Sequence, residues 1–514
     1  MAGRRLATTL TLTLLAAAAF LAAAGAAAGS KPSAKFELIH REQAPWDEVA
    51  RMDQERTAFI SSHARRRRAT EAAAGAKPKA RAKGTPPADE AFAMPLSSGA
   101  YTGTGQYFVR FRVGTPARPF LLVADTGSDL TWVKCRRRRH DAPAPGYGAP
   151  ASNGSSSSSS SSLAPAASSH ARVFRPDRSR TWAPISCSSD TCTASLPFSL
   201  AACPTPGSPC AYDYRYKDGS AARGTVGTDS ATIALSSSSA RPAGKKRQAQ
   251  AKLQGVVLGC TTSYDGESFL ASDGVLSLGY SNVSFASRAA ARFGGRFSYC
   301  LVDHLAPRNA TSYLTFGPNP AVSSASETAC GGGSGSAAPG ARQTPLLLDR
   351  RMRPFYAVAV NGVSVDGELL RIPRRVWDVE KGGGAILDSG TSLTVLVSPA
   401  YRAVVAALSR KLAGLPRVAM DPFDYCYNWT SPSTGEDLAV AVPELALHFA
   451  GSARLQPPAK SYVIDAAPGV KCIGLQEGDW PGVSVIGNIM QQEHLWEFDL
   501  KNRRLRFKRS RCMQ

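Results

Sequence analysis

The sequence lacks several features that would define other classes of protein. After residues 6–28, no segment is long and apolar enough for a membrane span, which argues against a polytopic membrane protein. No set of Cys and His residues has the spacing of a zinc site, and the 7 His residues form no catalytic cluster. We therefore expect no metal and no other cofactor. Acidic residues are few: 39 Asp and Glu stand against 61 Lys and Arg, a net charge of +22.

The composition is that of a folded chain. Of the 514 residues, 43% are hydrophobic and 19% are charged, which excludes full disorder and allows one or two large cores. The basic balance raises the question of a nucleic-acid or membrane partner. The 11 cysteines are numerous for a reducing cytosol and odd in number, so they indicate an oxidising compartment and one unpaired thiol.

The N-terminus carries a targeting pattern. Residues 1–5 contain two Arg and no acid, residues 6–28 are apolar or small, and residues 26–29 suit a signal peptidase. We interpret residues 1–28 as a secretory signal peptide, which predicts a destination in the apoplast, outside the cell, or in the vacuole. An uncleaved membrane anchor and a chloroplast transit peptide are the alternatives. Four Asn-x-Ser/Thr triplets are candidate glycosylation sites: Asn153, Asn282, Asn309 and Asn428.

Two kinds of segment follow the leader. Residues 29–95 are basic and Ala-rich, and we interpret them as a propeptide, with a disordered linker as the alternative. From Tyr107 onward, short alternating or apolar runs broken by Gly and Pro predict a mainly-β body of about 400 residues. Helical spacing is clearest at residues 400–415. Low-complexity residues 141–169, 236–252 and 331–342 are predicted to be surface loops or linkers.

Two segments repeat one another at a period of about 260 residues. Residues 123–132 read VADTGSDLTW and residues 386–395 read ILDSGTSLTV. Asp, Gly, Leu and Thr coincide in register, and each copy follows a strand-like run. A repeat of this length indicates two similar lobes rather than a solenoid.

The repeat places one Asp in a tight Gly turn of each lobe. If the lobes face one another, Asp125 and Asp388 lie close together, and two close carboxylates share one proton because both cannot ionise. One then acts as a base towards water and the other as an acid towards the scissile carbonyl, which is metal-free peptide hydrolysis. Asp-Thr/Ser-Gly is also ordinary turn chemistry, and a single copy would carry only that interpretation. Two extended copies favour the catalytic interpretation.

At these residues the chain resembles the pepsin-like aspartic proteases, over about residues 100–514. It is most similar to the plant nepenthesin-like branch, which includes proteins described as chloroplast nucleoid DNA-binding proteases. Further motifs typical of this branch are FSYCL at 297–301, IGNIMQQ at 486–492, FDL at 498–500 and, in the prosegment, LIHR at 38–41. The resemblance implies an all-β, bilobal fold with a few short helices. Its N-terminal lobe would span residues 96–343 and its C-terminal lobe residues 344–514.

The resemblance also implies a role for each matched residue around the catalytic pair, Asp125 and Asp388. Gly127 and Gly390 would bring backbone amides to the carboxylates. Ser128 and Thr391 would hydrogen-bond the outer carboxylate oxygens. Thr126 and Ser389 would cross-link the two active-site loops. Tyr216 would be the flap tyrosine that closes over an extended peptide and hydrogen-bonds Trp132.

Two positions depart from the family pattern. The flap motif normally reads Tyr-Gly-Asp-Gly-Ser, and Lys217 replaces its first Gly, so we expect a stiffer flap or a cation near the cleft. A hydrophobic-hydrophobic-Gly turn survives at Gly487, whereas its counterpart in the N-terminal lobe ends in Ser277. Ser277 puts the close packing of that turn in doubt.

Disulfide pairs are likewise implied by the resemblance. They are Cys187 with Cys210, Cys192 with Cys203, Cys300 with Cys512, and Cys426 with Cys472; Cys135 with Cys260 then follows by elimination. Cys330 lies in a Gly/Ser segment and is the expected free thiol.

The leading functional hypothesis is a monomeric acid endopeptidase that cleaves proteins and peptides and is inhibited by pepstatin-type compounds. Its acidic optimum follows because the shared proton requires one protonated carboxyl group. One alternative is a catalytically weak binding protein, because some pepsin-like plant proteins inhibit glycosidases. Another is accessory DNA or polyanion binding through the four arginines at 136–139. We interpret that run as a solvated loop, so we do not expect DNA to be the main partner.

Overall fold

The computed structural model describes the body of the chain with several gaps. The described residues are 50, 92–98, 105–136, 172–196, 203, 205–215, 220–234, 250–266, 269, 271–307, 310, 312–319, 321–322, 340–430 and 440–512. Several predictions fall outside these residues and stay predictions: the signal peptide, most of the propeptide, Asn153, Asn309, Tyr216, Lys217 and Cys330.

Strand is the predominant regular structure of the described chain, which confirms the all-β fold class. The strands of the first half are β1 Phe92–Ser98, β2 Tyr107–Val113, β3 Arg118–Asp125, β4 Trp132–Lys134, β5 Ala183–Pro184, β6 Ala211–Arg215, β7 Ala221–Ala234, β8 Gln250–Asp265, β9 Gly274–Ser277, β10 Arg296–Cys300 and β11 Ser312–Phe316. Those of the second half are β12 Arg342–Leu347, β13 Tyr356–Val358, β14 Val360–Val365, β15 Glu368–Leu369, β16 Ala385–Leu387, β17 Thr394–Val397, β18 Arg417–Met420, β19 Phe423–Asn428, β20 Leu445–Phe449, β21 Arg454–Leu455, β22 Val463–Ala467, β23 Val470–Ile473, β24 Leu475–Gly478, β25 Ser484–Ile486, β26 His494–Asp499 and β27 Arg504–Arg509.

Helices in the described ranges are few and short. The α-helices are α1 Phe285–Ala290, α2 Ser398–Lys411 and α3 Asn488–Gln491, and Ala50 is also helical. A π-helical turn covers Thr191–Ser195. Turns of 3₁₀ helix cover Pro176–Arg178, Arg350–Met352, Arg374–Trp377, Val379–Lys381, Ala450–Ser452 and Ala459–Ser461. Within the described part of the chain, no helix is long and apolar enough to cross a membrane.

The helical spacing at residues 400–415 corresponds to α2, which begins at Ser398 and ends at Lys411. Its buried face includes Tyr401, Val404 and Leu408, which recur at the three- to four-residue spacing of one helix face. Pro399 lies in the first turn, where its missing N–H costs no helical hydrogen bond.

Both halves of the chain build the same strand arrangement around their Asp. β3 runs parallel to β9, with Asp125 opposite Ser277. β16 runs parallel to β25, with Leu387 opposite Ile486, and Asp388 follows directly. Residues 122–125 are buried throughout because β3 lies between β2 and β9, so an apolar strand carries Asp125 into the interior.

One continuous sheet joins the two halves in the order β2–β1–β11–β10–β26–β27–β12. The predicted lobe boundaries at 95/96 and 343/344 fall inside β1 and β12, which are strands of this sheet. Four strands of the first half lie side by side, followed by three of the second half, and the two groups join through the hydrogen-bonded pair β10–β26. Ion pairs between Arg506 and the carboxylates of Glu497 and Asp499, all fully buried, lie in the same sheet.

The described residues contain five disulfides, which involve ten of the eleven cysteines in the sequence. Three join the predicted partners: Cys135 with Cys260, Cys300 with Cys512, and Cys426 with Cys472. The other two predicted pairs, Cys187–Cys210 and Cys192–Cys203, are wrong. The structure pairs Cys187 with Cys203 and Cys192 with Cys210.

Local strand pairing explains this correction. Ser186 and Pro209 form an antiparallel bridge, so Cys187 and Cys210 occupy diagonal positions across it. Diagonal positions are typically about 7–8 Å apart, whereas a disulfide usually requires Cα atoms about 4.4–6.8 Å apart. The observed Cα separations are 5.7 Å for Cys187–Cys203 and 5.9 Å for Cys192–Cys210.

Candidate active site

The first aspartate turn begins where β3 ends. Asp125 is 1% exposed, and the backbone N–H of Gly127 donates to its Oδ1 over 2.8 Å. The backbone carbonyl of Asp125 accepts from the N–H of Leu278 over 2.8 Å, which ties the turn to the residue after β9. Backbone geometry and a neighbouring strand thus fix this carboxylate.

The second turn repeats the arrangement after β16. Asp388 is fully buried, and the N–H of Gly390 donates to its Oδ1 over 3.0 Å. Thr391 Oγ1 donates to Asp388 Oδ2 over 2.6 Å, the contact that the family resemblance implies. The backbone N–H of Asp388 donates to the carbonyl of Ile486 over 3.2 Å.

The two turns differ at the hydroxyl that follows each Gly. We expected Ser128 to hydrogen-bond the Asp125 carboxylate, but Ser128 Oγ donates to the backbone carbonyl of Asp125 over 3.4 Å. Serine lacks the second Cβ substituent that restricts the rotamers of Thr391, so its hydroxyl can turn towards the main chain. Thr391 therefore donates a hydrogen bond to the Asp388 carboxylate, whereas Ser128 does not donate one to the Asp125 carboxylate.

Reciprocal hydrogen bonds join the two turns. The N–H of Thr126 donates to Ser389 Oγ and the N–H of Ser389 donates to Thr126 Oγ1, over 3.0 and 2.9 Å. Ser389 Oγ also donates to the carbonyl of Ala124 over 2.9 Å. Because Asp125 and Asp388 directly precede these two residues, the cross-link brings both carboxylates to the junction of the lobes.

Ser277 is accommodated in a turn where the family pattern has Gly. It is fully buried; its N–H donates to Thr131 Oγ1 over 3.0 Å, and its hydroxyl lies 2.8 Å from the same atom. Its Oγ also accepts from the N–H of Phe285, the first residue of α1, over 3.1 Å. A Cβ at the equivalent Gly487 would clash with the backbone carbonyl of Leu393. The N-terminal turn thus has room for a side chain, and the C-terminal turn does not.

Trp132 is fully buried at the start of β4, and its ring meets Phe269 edge-on at 4.9 Å between centroids. Its predicted partner Tyr216 lies outside the described residues. Tyr214, two residues earlier, donates its hydroxyl to Asp129 Oδ1 over 3.0 Å. This bond joins the strand that leads into the predicted flap to the catalytic turn.

Sequence reasoning missed the roles of Asp129, Tyr214 and Asn488. Asp129 and Asn488 stand inside motifs that we had quoted, but their partners are distant in sequence. Asn488 Nδ2 donates to the carbonyl of Ser389 over 3.1 Å and to that of Gly105 over 2.8 Å. In the sequence, Asp129 and Asn488 are visible only as polar residues within apolar motifs, and nothing near them identifies their partners.

Lys134 is a buried cation two residues after Trp132. Its Nζ donates to the carbonyl of Phe269 over 2.7 Å and lies 4.3 Å from the centroid of the Tyr264 ring. Burial lowers the pKa of Lys134, and the carboxylate of Asp273 opposes that shift. The hydrogen bond and ring contact hold β4, and so Trp132, in place.

Three cysteine sulfur atoms lie close enough together to be considered as a metal site. The Sγ atoms of Cys187, Cys192 and Cys203 are within 4.8 Å of one another. All three belong to disulfides and so offer no thiolate to a metal. The cluster is explained by the paired disulfides described above.

Comparison with known proteins supports the family resemblance. The N-terminal and C-terminal xylanase inhibitor family models match residues 107–318 and 355–509. Aspartyl protease family protein 2 of Arabidopsis thaliana is 32% identical over 429 residues, 82% of this chain and 74% of that protein. The chain belongs to the pepsin-like aspartic protease family of plants.

Other members of this aspartic protease family are more distant. Nepenthesin-2, an aspartic proteinase of Nepenthes gracilis, is 28% identical over 420 residues, 81% of this chain and 80% of that protein. Among solved structures, conglutin gamma, a basic 7S globulin from lupine seeds, aligns with a TM-score of 0.56 at 18% identity, over 82% of this chain and 95% of that one. The structure described as edgp aligns with a TM-score of 0.58 at 18% identity, over 82% and 96% of the two chains. Likeness at this identity shows the fold alone.

In this aspartic protease family member, two glycosylation candidates lie in described residues. Asn282 is exposed in the turn before α1, and Asn428 is half-buried at the end of β19. Asn428 Oδ1 accepts from the N–H of Thr430 over 2.9 Å. Glycosylation of either residue stays a prediction.

Proposed function

We propose that the protein is an aspartic endopeptidase that hydrolyses peptide bonds in proteins at acidic pH. The observation that carries the proposal is the cross-link between Thr126 and Ser389, which brings two buried aspartate turns together at the lobe junction. Each turn also supplies a backbone N–H to its carboxylate, from Gly127 and from Gly390. Preorganised donors of this kind need no rearrangement during the reaction.

The mechanism uses one water molecule and the proton shared by Asp125 and Asp388. One carboxylate takes a proton from the water as its oxygen bonds to the carbonyl carbon, while the other carboxyl protonates the carbonyl oxygen. In the tetrahedral intermediate the nitrogen accepts a proton, the C–N bond breaks, and a carboxylic acid and an amine leave. The reaction needs one carboxyl protonated and one ionised, so activity falls when pH rises far enough to ionise both.

The substrate would bind as an extended peptide in the cleft between the lobes. An extended main chain can pair with strand edges, while side-chain pockets set preference. We infer that Tyr216 covers it from the flap, with Trp132 beneath. Pepstatin-type inhibitors would occupy the same cleft.

A binding protein without catalysis is the second candidate. The description of the matching family models, xylanase inhibitor, favours it. It requires neither carboxylate, whereas both Asp125 and Asp388 are present with donors from their own turns. An enzyme is therefore the better-supported proposal, and inhibition of a xylanase by the wild type and both aspartate variants would favour the binder.

The test is cleavage of a denatured protein substrate by the full chain after acid maturation, with and without pepstatin. We expect pepstatin-sensitive cleavage that Asp125→Asn and Asp388→Asn both abolish. Asp229→Asn is the matched control, because Asp229 on β7 is also buried but accepts from Thr181 Oγ1 and from the N–H of Ser230. Undiminished cleavage by either variant would refute the assignment of Asp125 and Asp388 as the catalytic pair.

The five disulfides and the signal-like N-terminus support passage through the secretory pathway to the apoplast or the vacuole. The chloroplast is the alternative destination. Imaging of a C-terminally tagged chain, with N-terminal sequencing of the mature form, separates these destinations. Light scattering tests the proposed monomer, and salt-dependent DNA binding tests the polyanion alternative.

A further inference from the structure

Two buried tyrosines form hydrogen bonds that join the two halves of the molecule. Tyr299 belongs to β10 in the first half, and Tyr356 to β13 in the second. They are 1% and 0% exposed. Neither belongs to the repeated aspartate segments, and neither side chain has a role in the mechanism described above.

Tyr356 supports the first aspartate turn from the opposite half. Its hydroxyl donates to the carbonyl of Leu278 over 2.7 Å. The N–H of Leu278 in turn donates to the carbonyl of Asp125 over 2.8 Å. A single residue therefore lies between the phenol and the main chain of the first aspartate.

Tyr299 supports the second aspartate turn through one side-chain amide. Its hydroxyl donates to Gln491 Oε1, and Gln491 Nε2 donates to the carbonyl of Ile486 over 2.7 Å. The same carbonyl accepts from the N–H of Asp388 over 3.2 Å. Both chains of hydrogen bonds therefore end on the backbone of a catalytic aspartate and begin in the other half of the sequence.

The two tyrosines share one aromatic neighbour. The ring of Phe498 lies 5.4 Å from that of Tyr299 and 5.0 Å from that of Tyr356, between centroids. Burial raises the pKa of both phenols well above the usual value, and Asp388 raises that of Tyr299 further. Both hydroxyls therefore remain donors at every pH at which the enzyme would work.

We propose that Tyr299 and Tyr356 are positioning residues that hold the Asp125 and Asp388 carboxylates at a fixed separation by tying each turn to the opposite half. The inference rests on the proposed function. The interaction of two charges varies inversely with their separation, so a looser pair shares its proton less strongly. The two macroscopic pKa values of the pair then move closer together, and the bell-shaped pH profile of kcat narrows from both sides.

The experiment compares Tyr299→Phe, Tyr356→Phe and the double variant with the wild type. We expect kcat to fall on the order of ten-fold per variant with little change in KM, because misplacement acts on the chemical step. We also expect a narrower pH profile. Tyr462→Phe is the matched control: Tyr462 is buried and donates to the carbonyl of Pro443 over 2.7 Å, and neither residue belongs to an aspartate turn.

Stability measurements separate positioning from a structural role. If Tyr299→Phe and Tyr356→Phe lower Tm as the control does but leave kcat and the pH profile unchanged, the proposal is overturned. NMR titration of ¹³C-labelled aspartate carboxyls provides a readout independent of turnover. An inactive wild type would refute the proposed function but not the positioning proposal. In that case, aspartate titration steps that lie closer together in the tyrosine variants than in the wild type would still support positioning. Unchanged steps would refute positioning.

Discussion

The backbone N–H of Thr126 donates to Ser389 Oγ over 3.0 Å, and the backbone N–H of Ser389 donates to Thr126 Oγ1 over 2.9 Å. Each hydroxyl also reaches the main chain of the other lobe. Ser389 Oγ donates to Ala124 over 2.9 Å, and Thr126 Oγ1 donates to Leu387 over 3.4 Å. Two side chains therefore satisfy four buried backbone groups and fix the relative position of the two aspartate turns.

Removing either hydroxyl leaves a buried N–H without its acceptor. We expect Thr126→Val and Ser389→Ala each to lower the free energy of unfolding by about 1–3 kcal/mol. The double variant should lose less than the sum, with a coupling of about 0.5–3 kcal/mol. Denaturant unfolding measures these values, and kcat should fall in parallel. Thr344→Val is the control, because the buried Thr344 hydroxyl has no hydrogen-bond partner among the described residues and its loss should cost little.

The turns at Ser277 and Gly487 predict unequal losses of stability when each residue is replaced by the other type. Ser277→Gly removes the hydroxyl that contacts Thr131 and accepts from Phe285, so we expect a loss of about 1–3 kcal/mol in a folded protein. Gly487→Ser places a Cβ against the carbonyl of Leu393, and we expect failure to fold or a much larger drop in Tm. Equal melting temperatures for the two variants would contradict this asymmetry.

The bond between Tyr214 and Asp129 predicts a link between flap and catalytic turn. Tyr214→Phe removes the hydroxyl that donates to Asp129, so we expect a higher KM for peptides and kcat/KM lower by about ten-fold. Tyr401→Phe breaks a tyrosine–aspartate bond of the same 3.0 Å length, to Asp424, at the helix α2. Steady-state kinetics on a peptide series compares them, and equal KM changes would argue against a flap effect.

His304 predicts a loss of stability on the acid side of neutrality. It is 7% exposed, its Nδ1 lies 2.9 Å from Gln492 Oε1, and burial lowers its pKa below 6.5. The unfolded chain then binds the proton more tightly, so the stabilisation is complete above pH 6.5 and is lost as pH falls through the lowered value.

Substitution of His304 isolates this contribution. In His304→Gln the free energy of unfolding should vary less between pH 6.5 and the lowered pKa of His304. Urea titrations at several pH values measure this. His448→Gln is the comparison, because His448 is less buried, although burial also lowers its pKa. A pH dependence identical to that of the wild type in His304→Gln would exclude His304 as its origin.

The mainly-β class and the aspartate turns could be predicted because their signals are local. An apolar strand, an Asp and a Gly within a few residues specify a turn, and a second copy specifies a second lobe. The cross-link between Thr126 and Ser389 came from the family resemblance, since nothing local in either copy identifies a partner 263 residues away.

The incorrect predictions and the doubt about Ser277 share a physical cause, because each outcome depends on tertiary contacts that no local sequence pattern encodes. Four cysteines allow three pairings, and only the bridge between Ser186 and Pro209 decides against Cys187 with Cys210. Ser128 has the expected residue type, but its rotamer depends on packing. Ser277 is accommodated where the family pattern has Gly: its hydroxyl contacts Thr131 Oγ1 and accepts from the N–H of Phe285, and both contacts depend on tertiary structure.

During synthesis, β10 leaves the ribosome about 200 residues before β26, the strand that pairs with it in the finished sheet. β11 can cover one side of β10 early, but the other side stays an open strand edge until residues 494–499 arrive. Open edges recruit other chains, so the nascent protein is exposed to aggregation for most of the time needed to make its second half. We therefore expect this strand order to create a need for chaperones during translation and not only after release.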